Sequence, residues 1–369
     1  GSMSTTKFNP NVHGARGLFA LALFFFHIVN SKLAAPDLPF YRYVEQAMMS
    51  FEFGVELFFV ISGIVIYGAF QRSSSLGQFF FNRATRIWPL LWVTMSVMFL
   101  MTLFGTDRML GEPWSMLAGY FVGNMLALPP MVSMPIFHPA AWSLSYEFAF
   151  YGLMILFGLT AKHVPRGVAM AIVALVGVVV YWHHIRAIYF VAGLLIGSGM
   201  FHSESNAIVR LSRYPAVWMV AFLFVWKSVA EMVGGNIHAA IFARLFAEPP
   251  LIPLVVLAFF CALVTMVGVA KGYGHLSRLL RTPLFQWLGT ISFSLYLWQA
   301  PVMAVVKKLM YVTHIVERVG GLAQPVFLLL ALPPVLLVSH YSQVWIEGHL
   351  TTKLRLLAFR KKPVIGTPA

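Results

Sequence analysis

Charged side chains are scarce in this chain. Only 10% of its 369 residues are Asp, Glu, Lys or Arg, whereas about a quarter is usual in a soluble globular protein. Apolar residues make up 59% of the sequence, and the mean hydropathy is +0.79. The composition therefore excludes a soluble globular protein and predicts a polytopic membrane protein.

Cysteine and the common catalytic motifs are also scarce or missing. Cys261 is the one cysteine, which excludes an internal disulfide framework and carries no information about the compartment. No HExxH motif occurs, and His340, Glu347 and His349 lack a recognised metal-ligand spacing. A GxSxG nucleophile elbow and a P-loop are absent as well. The sequence therefore predicts no metal site.

The apolar residues are concentrated in windows of near-spanning length. A transmembrane helix needs about 20 predominantly apolar residues, and ten such windows occur, at 15–33, 50–70, 88–105, 142–160, 168–183, 187–202, 214–232, 250–270, 284–306 and 325–347. An eleventh stretch, 114–128, is short and runs into Pro129 and Pro130, which favours a re-entrant or interfacial helix. The predicted fold is an all-α membrane bundle of about ten transmembrane helices plus this short one.

These windows leave no room for a separate soluble domain. We predict an N-terminal tail over 1–14, a transmembrane domain over 15–350 and a basic cytoplasmic tail over 351–369. Gly1 and Ser2 precede Met3 in a way that is typical of a cleaved purification tag, so we exclude them from the fold.

The distribution of basic residues predicts the orientation. If both termini are cytoplasmic, most of the 26 Lys and Arg residues lie on the cytoplasmic side, as the positive-inside rule requires. The net charge of +14 then reflects topology and attraction to anionic membrane lipid. Because no basic soluble module is present, we predict no nucleic-acid partner. The expected location is the inner (plasma) membrane of a bacterium, as a multi-pass protein.

The first window carries two ionisable residues, Arg16 and His27. Ionisable residues inside a membrane helix are costly and indicate function. Eleven steps of about 100° return to within about 20° of the starting direction, so the two side chains lie on one helical stripe, about 16 Å apart. The helix thus has a cation near its cytoplasmic end and an imidazole in its outer half.

Depth in the membrane sorts the other polar residues into two layers. The residues expected in the outer half are His27, Glu52, Glu56, Ser143, Ser145, Glu147, Ser294, Tyr296 and Gln299. The residues expected at the cytoplasmic boundary are Arg16, Arg83, Arg86 and Glu347. Because the planar guanidinium donates bidentate hydrogen bonds to phosphate, the inner layer favours a phosphorylated cofactor. A neutral imidazole can take the proton of an attacking hydroxyl, which favours acid–base chemistry in the outer layer.

Five ordered blocks resemble the membrane acyltransferase-3 family, and they extend over most of the chain. They are Arg16-x10-His27, GVELFFVISG at 54–63, RATRIWP at 83–89, WSLSYEF at 142–148 and LGTISFSLYLW at 288–298. Two features depart from many members of the family. Gln299 stands where they carry histidine, and the extracytoplasmic hydrolase-like domain fused to some members is not expected. The chain therefore resembles the stand-alone exopolysaccharide or lipid-linked-glycan type.

The resemblance implies transfer of an acyl group, usually acetyl, from cytoplasmic acetyl-CoA to a hydroxyl of a glycan or lipid-linked oligosaccharide. The implied catalytic residues are His27, Glu56 and Glu147, with Glu56 orienting His27. The implied acetyl-CoA-binding residues are Arg16, Arg83 and Arg86. The implied substrate-binding residues are Trp142, Ser145, Tyr296 and Gln299.

The residues alone leave several alternatives open. His27 is a general base or a transient acyl carrier. Glu56 is its partner or merely pairs with Lys32 or Arg42, and the inner arginines bind CoA or only anchor the topology. A secondary transporter or flippase for a glycan or a small anionic substrate is the second function class, since polar residues in a bundle also mark substrate pathways. The acceptor, the acyl group and the oligomeric state stay open.

Overall fold

The computed structural model describes residues 8–105 and 111–358. These residues form helices and connecting loops, without a strand among them. The first half of the bundle contains α1 (Pro10–Val29), α2 (Pro39–Met49), α3 (Gly54–Arg72), α4 (Leu76–Gly105), α5 (Trp114–Met125), α6 (Ala141–Thr160), α7 (Arg166–Val180) and α8 (Tyr189–Gly197). The predicted tag remnant and residues 359–369 of the predicted basic tail lie outside the described residues.

The second half continues with two pairs of long helices and several short ones. It contains α9 (Ala207–Leu211), α10 (Pro215–Met232), α11 (Phe242–Ala247), α12 (Leu251–Lys271), α13 (Gly274–Leu280), α14 (Pro283–Val312), α15 (Ile315–Val319), α16 (Ala323–Ser342) and α17 (Thr351–Ala358). A π-helical stretch, Gln343–Leu350, joins α16 to α17. Short 3₁₀ turns lie at Ser50–Phe53, Ile185–Ile188, Ile237–Ala239 and Gly320–Leu322.

The predicted all-α membrane bundle is confirmed. Within the described residues, eight segments are long and apolar enough to cross a membrane: Pro10–Val29, Pro39–Arg72, Leu76–Gly105, Ala141–Thr160, Pro215–Met232, Leu251–Lys271, Pro283–Val312 and Ile315–Ala358. The windows predicted at 168–183 and 187–202 correspond to two shorter apolar helices, Arg166–Val180 and Ile185–Gly197. The short segment before Pro129 forms α5, a helix of 12 residues.

Helices α1 and α14 run parallel to each other. They pack closely because glycines let their backbones approach. A Cβ at Gly17 would lie 2.6 Å from Gly289 N, and one at Gly289 would lie 2.2 Å from the His13 carbonyl oxygen. Further along the same seam, Gln299 Nε2 donates to the Ala20 carbonyl at 2.8 Å. This seam sets the stripe that carries Arg16 and His27 against the polar residues of α14.

Helices α3 and α8 form a second parallel pair, again through glycine. A Cβ at Gly63 would lie 2.4 Å from the Phe190 carbonyl oxygen, and one at Gly193 would lie 2.1 Å from that of Val60. Small residues at helix contacts permit such close packing in membrane proteins. The close approach at Gly63 brings the start of α3 beside the start of the 185–197 segment.

The two ends of the bundle are defined by contacts between segments distant in sequence. At the end where α1 begins, which we call the N-terminal face, His13 Nε2 lies 3.1 Å from the Gln286 carbonyl, and Arg355 of α17 donates to the Asn82 carbonyl at 2.9 Å. At the other end, the distal face, Tyr41 donates to Gln324 Oε1 at 2.8 Å.

Substituting Gly193 with alanine should destabilise the bundle, because the new Cβ cannot fit against the Val60 carbonyl without separating α3 from α8. Overpacking of this kind typically costs about 1–3 kcal/mol. Thermal unfolding of the purified protein in detergent measures the effect. Gly152→Ala is the matched control, since no atom lies within 4 Å of a Cβ at Gly152. Equal melting temperatures for the two variants would contradict the close approach.

Candidate active site

Three cavities follow one another through the bundle. The proximal cavity, of about 620 Å³, opens at the N-terminal face. The central cavity, of about 80 Å³, shares with the proximal cavity the wall residues Arg16, Val65, Arg86, Ser292 and Phe293. The distal cavity, of about 200 Å³, shares Val55 and Tyr296 with the central one. The three cavities thus lie in series between the two predicted layers and are separated by shared wall residues.

Arg16 and Arg86 lie where the proximal and central cavities meet. Arg16 comes from α1 and Arg86 from α4, and both are half-buried. Among residues 8–105 and 111–358, neither guanidinium has a hydrogen-bond or ion-pair partner. A desolvated cation without a partner is costly, so this pair of positive charges is suited to an anionic ligand.

Arg83, one turn before Arg86, is engaged by protein side chains. Its Nε donates to the Tyr151 hydroxyl at 3.4 Å, and that hydroxyl donates to Glu147 Oε1 at 2.7 Å. The Arg83 Nη2 atom lies 3.8 Å from the same carboxylate oxygen. Glu147 was expected in the outer layer with His27. The structure places it instead in the central cavity beside Arg83, because α4 brings that cation to the face of α6 on which Glu147 lies.

Glu347 lies on the π-helical stretch and lines the proximal cavity together with Arg16 and Arg86. Its carboxylate accepts a hydrogen bond from Ser294 at 2.5 Å, although Ser294 was expected in the outer layer. Stretches of π-helix often occur at functional sites. The proximal cavity therefore carries one carboxylate opposite its two unpaired guanidiniums.

Tyr296 separates the central cavity from the distal cavity. Its hydroxyl donates to the Ala140 carbonyl at 3.0 Å and lies 2.5 Å from the Ser143 hydroxyl. Ser143 Oγ also lies within hydrogen-bond distance of the Ala140 carbonyl, at 3.1 Å. The three oxygens form a triangle that links α14 to the start of α6. The ring of Phe58 packs against the ring of Tyr296, with 5.9 Å between the ring centroids.

His27 lines the distal cavity, on the far side of Tyr296. No side-chain hydrogen bond joins its imidazole to another described residue; its ring packs against Phe26 at 5.3 Å. Glu52, in the 3₁₀ turn before α3, lines the same cavity. The carboxylate that faces the cavity of His27 is therefore Glu52, which the sequence placed at a shallower depth.

Glu56 does not orient His27, and it does not pair with Lys32 or Arg42. Its carboxylate is fully buried in an ion pair with Arg186, which the α3–α8 packing places directly beside it. Because a buried carboxylate needs the nearest available cation, Arg186 takes the position that the sequence interpretation gave to His27. The second carboxylate oxygen of Glu56 has no hydrogen-bond partner in the described part of the chain.

Arg186 also organises the mouth of the distal cavity. Its Nη1 lies 3.1 Å from His238 Nε2, and its guanidinium covers the ring of Trp142 at 4.3 Å. Burial, reinforced by the positive charge of Arg186, lowers the pKa of His238 to about 3, so this imidazole is neutral and accepts from Arg186. Trp142 lines the cavity, but the guanidinium occupies a face of its ring.

His138, just before α6, fixes the loop that supplies the Ala140 carbonyl. Its Nε2 donates to the Leu297 carbonyl at 2.8 Å, and its Nδ1 accepts from the Ala140 N–H at 3.1 Å. Burial lowers the pKa of His138 to about 4, which keeps the ring neutral with one donor and one acceptor. This histidine ties the loop to the residue that follows Tyr296.

Ser145 and Gln299 line none of the three cavities. Ser145 donates to the Leu128 carbonyl at 2.9 Å, which holds the loop after α5. Gln299 is 1% exposed and joins α14 to α1 through its bond to Ala20. Of the four residues predicted to bind substrate, the structure brings Trp142 and Tyr296 to the distal cavity.

Sequence reasoning missed Arg186, His138 and His238 as residues around the site, and it placed Glu52 in the outer layer without giving it a role. The signal for Arg186 was available, because it interrupts the apolar stretch 185–197 and ionisable residues in such stretches indicate function. His138 and His238 lie in loops, whose contacts no helical periodicity predicts. Within the described residues, no group of three or more His, Cys, Asp or Glu side chains could hold a metal ion.

The structure is a membrane helix bundle in which guanidiniums and a histidine line a series of cavities at different depths. The acyltransferase-3 family model, described as "Acyltransferase domain", matches residues 9–341, so the chain belongs to the membrane acyltransferase-3 family and is an acyltransferase. It is 24% identical over 315 residues to the acyltransferase MdmB of Streptomyces mycarofaciens, covering 78% of this chain and 77% of that protein.

A second relative is the exopolysaccharide production protein ExoZ of Rhizobium meliloti. It is 27% identical over 281 residues, covering 69% of this chain and 77% of that protein. No solved structure gives a significant match to the chain.

Removing one member of the buried Glu56–Arg186 pair should be strongly destabilising. Glu56→Ala leaves Arg186 buried without its counter-charge, which typically costs about 3–5 kcal/mol. Unfolding in detergent measures the loss, and the double variant Glu56→Ala/Arg186→Ala should lose less than the sum of the single variants. Asp37→Ala is the control, because the Arg42–Asp37 pair is 70% and 87% exposed and exposed pairs contribute about 0–1 kcal/mol. Additive losses would show that the two side chains are not coupled.

Proposed function

We propose that the protein transfers an acyl group, most simply acetyl, from acyl-CoA to a hydroxyl of a membrane-associated or extracytoplasmic glycan. Acyl-CoA enters from the N-terminal face, and the acceptor enters from the distal face. The observation that carries this proposal is the pair of unpartnered guanidiniums, Arg16 and Arg86, between the proximal and central cavities of a series that ends at His27.

The donor side fits CoA because its nucleotide is polyanionic. Phosphate groups at Arg16 and Arg86 would receive charge-assisted hydrogen bonds, which are the strong ones. The pantetheine arm is long and narrow, so it suits the small central cavity better than a bulky substrate does. Arg83 is held by Tyr151 and Glu147 and therefore shapes the wall of the central cavity.

The acceptor side fits a sugar hydroxyl because His27 and Glu52 line the distal cavity without side-chain hydrogen bonds to other described residues. His27 accepts the hydroxyl proton as the oxygen attacks the thioester carbon, and it returns that proton to the leaving thiolate. In the alternative route, His27 carries the acyl group transiently. In this proposal the N-terminal face is cytoplasmic, which the positive-inside rule supports, and the distal face is the outer side of a bacterial plasma membrane. The relative named as an exopolysaccharide production protein supports a glycan acceptor.

Arg86→Ala should weaken CoA binding by about tenfold to a hundredfold, because a hydrogen bond to a charged group contributes about 1.5–3 kcal/mol. Arg86→Lys should retain only part of the affinity for CoA, because lysine keeps the positive charge but lacks the bidentate fork. Calorimetry with CoA and purified protein measures both. Arg318→Ala is the matched control, because Arg318 is exposed at the distal face. Unchanged affinity in Arg16→Ala and Arg86→Ala would assign these residues to topology alone.

His27→Ala should lower acyl transfer by about 10²- to 10⁴-fold, the usual contribution of a general base, while CoA affinity and melting temperature stay as in the wild type. Transfer is measured in two assays. One is mass spectrometry of surface glycans from a deletion strain that carries the wild-type gene or the His27→Ala gene, and the other uses purified protein with acetyl-CoA. His183→Ala is the control, because His183 is exposed in a distal loop. Activity of His27→Ala within threefold of the wild type would remove His27 from the mechanism. Wild-type protein that leaves surface glycans unacylated but moves them across liposomes would favour a transporter.

A further inference from the structure

We infer that the Tyr296 hydroxyl is a catalytic group that donates a hydrogen bond to the thioester carbonyl oxygen as negative charge develops on it. This inference rests on the proposed function and names a residue of that same site. Tyr296 was expected only to contact substrate.

The position of Tyr296 supports this role. Val55 and Tyr296 are the wall residues common to the central and distal cavities, and Tyr296 is the polar one of the two. A thioester that arrives through the central cavity and a hydroxyl that is activated beside His27 must meet where these cavities meet. The reacting carbonyl carbon therefore lies beside the Tyr296 hydroxyl.

The hydrogen-bond triangle lets Tyr296 redirect its proton at low cost. In the structure, Tyr296 donates to the Ala140 carbonyl at 3.0 Å and lies 2.5 Å from Ser143 Oγ. If Tyr296 turns its O–H toward a substrate oxygen, Ser143 can satisfy the Ala140 carbonyl, which is 3.1 Å away. No buried acceptor is then left unpaired, so the usual penalty for such a group is avoided.

The surroundings hold the hydroxyl in place before the reaction. His138 binds the Leu297 carbonyl, next to Tyr296, and also the Ala140 N–H, so one imidazole fixes both sides of the triangle. The Phe58 ring packs against the Tyr296 ring. Electrostatic catalysis is most effective when the donor atom is already held where the charge develops. These contacts hold the Tyr296 oxygen there, and only its proton has to turn away from the Ala140 carbonyl.

The acceptor oxygen forms a bond to the thioester carbon while His27 takes its proton, and the carbonyl electron pair moves to oxygen, where Tyr296 donates its hydrogen bond. The pair then returns as the carbon–sulfur bond breaks. The CoA thiolate leaves and receives the proton from His27, so the products are the acylated glycan and free CoA.

Tyr296→Phe tests the inference, because it removes the hydroxyl and keeps the ring. We expect kcat to fall by about 10²- to 10³-fold, the usual effect of losing one oxyanion donor, with an unchanged KM for acetyl-CoA. Ser143→Ala is the comparison variant, because it leaves the Tyr296 hydroxyl in place and removes only the second donor to the Ala140 carbonyl; its kcat should fall clearly less than that of Tyr296→Phe. Tyr311→Phe, at an exposed position of the same helix, is the matched control and should keep wild-type kcat.

Two results would overturn the inference. Equally large losses in Tyr296→Phe and Ser143→Ala would show that the triangle acts only as a latch between the cavities. A kcat of Tyr296→Phe within threefold of the wild type would show that the hydroxyl takes no part.

If Tyr296→Phe fails to fold, 3-fluorotyrosine at position 296 keeps the shape and strengthens the donor. A changed kcat in that protein supports the inference, and an unchanged kcat overturns it.

The inference and the proposed function fail in different ways. If the proposed function is wrong, the wild-type protein itself transfers no acyl group from acetyl-CoA and does not bind CoA through Arg86. If only the inference is wrong, the wild type is active, His27→Ala is inactive and Tyr296→Phe retains its kcat.

Discussion

A charge inside a membrane protein requires a counter-charge, several hydrogen bonds or a ligand, because desolvation costs several kcal/mol per ion. The bundle meets this requirement for Arg186 through Glu56 and for Arg83 through Tyr151 and Glu147. It does not meet it for Arg16 and Arg86 within the described residues. The unpaired guanidiniums lie at one point of the cavity series, and their combined positive charge is the physical basis of the anion site proposed there.

Two parallel helix pairs position the polar side chains around the cavities. The α1–α14 seam brings His27 and Tyr296 to the wall of the distal cavity, and the α3–α8 seam sets Glu56 against Arg186. Both seams depend on glycines whose replacement would force the backbones apart. Since parallel neighbours cannot be joined by a short loop, each pair connects segments far apart in sequence, and packing alone determines which polar residues meet.

The helices, their order and the Arg16–His27 stripe could be predicted, because hydropathy and helical periodicity are local properties of the sequence. Depth could be predicted for His27, but not for Glu147, which α4 draws into the central cavity beside Arg83. The partner of Glu56 could not be predicted, since depth does not specify which helix lies beside it. His138 lies in a loop, where its two hydrogen bonds depend on tertiary contacts that no pattern encodes.

The buried Glu56–Arg186 pair also determines how side chains are arranged at the distal cavity. Replacing a buried ion pair by apolar side chains of similar volume is often neutral or stabilising, so stability alone does not account for a pair this deep. Arg186 also contacts Trp142 and His238, which both line the distal cavity. Glu56 pairs with the Arg186 guanidinium. This guanidinium contacts the Trp142 ring and the His238 imidazole, and both of these side chains line the distal cavity with His27. The pair therefore fixes the geometry of the distal cavity through the contacts of Arg186.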